Sequence, residues 1–119
     1  MVSNLDEVKV FLSDFDIKYK VFDIIFVDAR VKNANTLLLL DIPPAKRREI
    51  IESILAADYV HGPLDDTLYG IVSMWVFGKS YKQQELYIKI SMGRPGSSVI
   101  CISFHPAEKP LHYPYKNPL

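Results

Sequence analysis

Two alternating apolar runs joined by a turn constrain this chain more than any other feature. In Glu85 to Met92, Leu86, Ile88 and Ile90 alternate with Tyr87, Lys89 and Ser91. A period of two puts the first set on one face of a strand and the second on the other. Arg94-Pro95-Gly96-Ser97 carries turn residues, since Pro presets its own φ and Gly adopts the left-handed region freely. Ser98 to His105 is the next strand, with Ile100, Ile102 and Phe104 on one face and Val99, Cys101, Ser103 and His105 on the other. The spacing predicts a hairpin whose apolar side covers a core and whose other side is solvent-facing and partly polar. Ser73 to Lys79, containing Met74-Trp75-Val76-Phe77, is a further strand candidate.

The first half reads as helix. Asn4 can cap a helix with Glu7 three residues on, as in a capping box. Val8, Phe11, Leu12 and Phe15 fall at helical spacing, which predicts a helix to about Phe15. Tyr19 to Val27 is aromatic and β-branched and reads as a strand or extended arm. A second helix is predicted from Asn33 to Leu40. Asp41-Ile42-Pro43-Pro44 ends it and starts a third, because Pro is preset for a first turn. Ile50, Ile51, Ile54 and Leu55 form the third helix's apolar stripe. Lys46, Arg47 and Arg48 sit near its N-terminus, where positive charge opposes the helix dipole.

Helices first and strands after predict an α+β fold, with N-terminal helices packed on a twisted antiparallel sheet. The 119 residues suit a single domain. Residues 1–57 are mainly helical, 58–105 form the sheet, and 106–119 are an extended tail rich in Pro and Tyr.

Apolar residues make up 49% of the chain, which disfavours disorder. The start is polar and acidic, unlike a secretory signal, and the longest apolar run is too short to cross a bilayer. Cys101 is the only cysteine, so neither an intrachain disulfide nor a cysteine metal cluster is possible. The expectation is a cytoplasmic protein without membrane attachment. Formal net charge is zero, yet residues 79–119 hold six Lys/Arg and two Asp/Glu. A basic C-terminal third points to an anion-binding face.

Tyr87 and Lys89 share a strand face, His105 ends the adjacent strand, Glu108 follows, and Lys79 ends the strand before. A phenol, two ammonium groups, an imidazole and a carboxylate suit RNA cleavage. That reaction needs a base for the 2′-hydroxyl proton, an acid for the 5′-oxygen, and cations for the charge developing on phosphorus. Histidine can be acid or base near neutral pH. The candidate catalytic set is therefore His105, Tyr87, Lys89, Lys79 and Glu108. His61, Arg94, Lys46, Arg47 and Arg48 are candidate RNA contacts, and Arg30 and Lys32 can join the last three in a second phosphate-contacting patch. His61, His105 and His112 lie far apart and form no helical metal pair, so no metal or cofactor is expected. A non-catalytic RNA- or ribosome-binding protein, or a protein–protein module using the aromatic tail, fits the same residues.

The run Met74-Trp75-Val76-Phe77-Gly78-Lys79, then Leu86-Tyr87-Ile88-Lys89-Ile90, then Ile102-Ser103-Phe104-His105-Pro106-Ala107-Glu108 resembles the MqsR family of toxins from bacterial type II toxin–antitoxin systems. Asp28-Ala29-Arg30 to Asp41 and Arg47 to Tyr59 resemble that family's helices, so the likeness covers most of residues 5–109. The resemblance implies a RelE-like ribonuclease fold and a metal-independent mRNA interferase that inhibits translation and growth. It also implies a cognate antitoxin partner. Beside the resemblance, mRNA is the expected substrate and the ribosome a candidate contact. Tyr87 stands at a functional tyrosine of the family. His105 and His61 each stand where better-known members have a lysine, Val76 replaces a glutamine, and Lys79 lies near the family's arginine. The tail from His112 to Lys116 extends beyond those members.

Overall fold

Asn4 opens the first helix through the capping box its spacing predicts: its side chain accepts from the Glu7 N–H at 2.9 Å, and the Glu7 carboxylate accepts from the Asn4 N–H at 2.9 Å. The structure is a computed structural model and describes residues 2–66 and 71–116. This helix, α1 (Leu5–Phe22), buries Val8, Phe11, Leu12 and Phe15. It continues past Phe15, the end that apolar spacing predicts, because Tyr19 lies one turn on and packs edge-on against Phe15 at 6.2 Å. Asp23, at φ 67°, ends it; its N–H donates to Tyr19 O at 2.8 Å, while its carboxylate accepts from Ile24 N–H at 2.8 Å. Only β1 (Ile24–Phe26) of the expected extended arm is strand.

Next come α2 (Val31–Leu39) and α3 (Pro44–Glu52), the latter started by Pro43-Pro44 as expected. Ile50, Ile51 and Ile54 are buried, but Leu55 is exposed and lies beyond the helix. Each basic residue of α3 finds a carboxylate: Lys46 meets Glu49 at 3.2 Å, Arg47 meets Asp28 at 2.7 Å, and Arg48 meets Asp23 at 2.6 Å. A 3₁₀ turn, Ala56–Asp58, leads into β2 (Tyr59–Asp66), β3 (Ile71–Tyr81), β4 (Gln84–Ser91) and β5 (Val99–Pro106).

The strands form one open sheet in the order β1-β5-β4-β3-β2. It is mixed, which corrects the purely antiparallel expectation: β1 pairs parallel with β5, from Ile24↔Val99 to Phe26↔Cys101. The helices and three strands between β1 and β5 supply the long connection a parallel pair requires. β2 through β5 pair antiparallel throughout.

The expected faces of β5 are also corrected. Ile90 pairs with Cys101 and Lys89 with Ser103, so Ile102 is an extra residue in a β-bulge. One extra residue reverses the alternation beyond it. Val99 and Cys101 thus join Phe104 in the main core, whereas Ile102 is buried outside that cluster. The core joins Phe11 and Phe15 of α1 and Ile50 and Ile51 of α3 to Trp75, Phe77, Leu86, Ile88 and Ile90 of the sheet. Phe11 stacks on Trp75 at 4.5 Å and 12°. The sheet's opposite face carries Tyr87 and Lys89.

Candidate functional site

Cross-strand pairing assembles the site. Tyr87 pairs with His105 and Lys89 with Ser103, so all four project from the face away from α1. Without the bulge, His105 would share a face with Cys101 and point into the core. With it, the Tyr87 and His105 rings stack at 5.3 Å and 14°. These residues line a cavity of about 400 Å³ together with Arg30 and Lys32 of the β1–α2 region and Glu108 to Leu111 of the tail. Arg30 Nη1 lies 3.4 Å from Ser103 Oγ. Lys32 and Glu108 form an ion pair at the rim. Four cationic side chains, Arg30, Lys32, Lys89 and Lys109, therefore face one carboxylate among the lining residues.

The titrating groups have distinct environments. Burial pushes the Tyr87 phenol above its ordinary value, with Glu108 reinforcing and Arg30 opposing, so it stays protonated at neutral pH. The hydrogen bond and charge of Lys32 hold the Glu108 carboxyl below its usual range, keeping it ionised. His105 Nδ1 lies 3.0 Å from Pro106 O. A carbonyl only accepts, so in neutral His105 this contact places the proton on Nδ1 and leaves the Nε2 lone pair for a ligand. Such a site can bind a phosphodiester, take up a proton and donate a hydrogen bond from a phenol.

Lys79, expected in the same cluster, lies on the other face. It pairs with Leu86, a helix-side residue, and its ammonium group donates to Asp58 at 3.0 Å and to Ser53 O at 3.3 Å. His61, on β2, pairs with Val76 of β3; burial is the main cause that lowers its pKa, and the charge of Lys89 adds to it. It is not among the cavity's lining residues. Arg94 is exposed in the β4–β5 turn, where its carbonyl accepts from Lys18 Nζ at 2.6 Å. Lys46, Arg47 and Arg48 of α3 pair with Glu49, Asp28 and Asp23, whereas Arg30 and Lys32 line the cavity. Ser103 was available from the sequence, two residues before His105. Lys109, Pro110 and Leu111 were not, because nothing in a proline-punctuated tail tells which way it folds.

Among the described residues, no group of three or more His, Cys, Asp or Glu side chains could hold a metal ion. Cys101 is buried, and burial pushes its thiol up to about 12. No helix of the described residues is long and apolar enough to cross a membrane. No protein-family model, curated protein or solved structure matches the chain.

Proposed function

We propose that the chain is an endoribonuclease of the MqsR type, the RNA-cleaving toxin of a toxin–antitoxin pair with a RelE-like fold. The single observation that carries this reading is the Tyr87–His105 stack set among Arg30, Lys32 and Lys89. His105 Nε2 takes the proton of a ribose 2′-hydroxyl as O2′ attacks the adjacent phosphorus. The bond to the 5′-oxygen breaks, leaving a 2′,3′-cyclic phosphate, and the departing oxygen takes a proton from the Tyr87 phenol, which regains one from solvent as His105 gives up its own. Lys89 and Arg30 offset the negative charge that grows on the phosphoryl oxygens. The protonated Tyr87 phenol hydrogen-bonds the phosphate or the leaving oxygen. All groups in this scheme belong to the protein, as the resemblance implies for a metal-independent enzyme whose natural substrate is mRNA.

The test is cleavage of a synthetic single-stranded RNA by purified protein in EDTA. The expected products end in 2′,3′-cyclic phosphate and 5′-hydroxyl. His105→Ala should slow cleavage by about 10²- to 10⁴-fold, the usual worth of a positioned general base. Expression without an antitoxin should arrest growth, and the same substitution should relieve the arrest. Salt-sensitive RNA binding without products would instead favour a non-catalytic RNA-binding role. No binding at all would overturn both.

A further inference from the structure

Glu85 grips the tail at three places. Its backbone carbonyl accepts from Ala107 N–H at 2.8 Å, one carboxylate oxygen accepts from Leu111 N–H at 2.9 Å, and the other accepts from the Tyr113 hydroxyl at 2.7 Å. The loop held between these points contains Glu108, Lys109, Pro110 and Leu111, the tail residues that line the cavity. The grip continues across the sheet. Gly78 pairs with Tyr87, so a side chain there would rise on the cavity's face; a Cβ would lie 2.8 Å from two Tyr113 ring carbons. The Tyr113 ring occupies that space. Further on, Tyr115 stacks on Tyr59 at 5.8 Å and its hydroxyl donates to Ser3 O. The tail is thus a fixed wall along one side of the cavity, joined at the Lys32–Glu108 ion pair to the Arg30–Lys32 side.

We infer that Glu85 is a specificity-determining residue that, by holding this wall, restricts the site to an unpaired RNA strand. The inference rests on the RNA reading above. An unpaired nucleotide can lay its base and phosphate between two adjoining walls. A paired one carries its partner strand with it, and proteins meet duplex RNA across a broad, shallow groove instead. Glu85 touches no reacting atom; it acts through the position of residues 107–113.

The experiment measures binding of the full-length protein to one RNA sequence presented as a single strand and as a hairpin stem. Amide hydrogen exchange at Leu111 is read alongside. Wild type should prefer the single strand by about tenfold or more, a difference of about 1.4 kcal/mol. Glu85→Ala keeps the backbone contact but loses both side-chain contacts. It should speed exchange at Leu111 and bring the two affinities to within about threefold of each other. Glu85→Gln retains an oxygen acceptor and should restore most of the preference, and Tyr113→Phe should fall between. Undiminished preference in Glu85→Ala, whether or not Leu111 exchange has changed, overturns the inference and leaves the RNA reading standing. Absence of RNA binding by wild type overturns that reading and the inference together.

Discussion

Arg47 shows how far a single residue's role departs from its type. In the sequence it belongs to a basic triplet suited to phosphate. In the fold its side chain is 8% exposed and makes a two-pronged contact with Asp28, at 2.7 and 3.0 Å. Its guanidinium carbon sits 3.6 Å from the centre of the Phe26 ring. Its Nε is buried without a partner, so the arrangement gives up part of what it gains. Asp28 is 45% exposed and can be rehydrated if the arginine is lost. Arg47→Ala should therefore cost about 2 kcal/mol in urea unfolding, from lost packing and the lost pair. Arg47→Met, which refills the space over Phe26, should cost less than about 1 kcal/mol. Neither should weaken RNA binding once the protein is folded; equal, large losses of affinity in both variants would return Arg47 to the RNA-contacting set.

Strand β5 carries most of what the sequence did and did not disclose. Alternation placed β4 and β5 correctly as a hairpin, because side-chain period and turn chemistry are local. The face of His105 does not follow from alternation alone. Simple alternation put it with Val99 and Cys101, and those two are core. The bulge at Ile102 separates them, and a bulge leaves no mark in a run of β-branched and aromatic residues. Partnership across elements was equally hidden: Lys79 looks like Lys89 in sequence, yet register sends it to Asp58. Asn33, read only as the start of a helix, is 1% exposed. Its amide donates to Val27 O and Ile102 O and accepts from Phe104 N–H, each at 2.9 Å. A side chain thus does for β5 what β1 does up to Cys101, and it braces the bulge. Asn33→Ala should cost about 3 kcal/mol, since buried backbone groups lose their partners. Cleavage should fall as well, because Ser103 and His105 lie directly beyond the bulge. Calorimetry and amide exchange at Phe104 check the first claim. Unchanged protection there would mean that the Phe104 N–H does not depend on Asn33 and that the side chain does not brace the bulge.

Across the whole molecule, charge is distributed by folding and not by sequence position. The basic C-terminal third supplies Lys89 and Lys109 to the cavity, but Arg30 and Lys32 arrive from the acidic first third. Zero net charge therefore coexists with a local cationic pocket, which is the requirement for attracting a polyanion to one place on a neutral surface. If about three of these cations each displace a counterion from single-stranded RNA, log K should fall with log salt at a slope of about −2. Raising salt from about 50 to 200 mM would then weaken binding about 15-fold. Lys89→Ala should flatten the slope by about 0.7, one phosphate contact for a single strand. Lys46→Ala, on the exposed surface of α3 beside Glu49, should leave it unchanged. A slope indifferent to Lys89 and sensitive to Lys46 would move the RNA path from the sheet to the helices. Equal sensitivity to both would mean that the strand crosses from one to the other. Only flattening confined to the cavity cations places the polyanion over the Tyr87–His105 stack, where an imidazole and a protonated phenol can act on it.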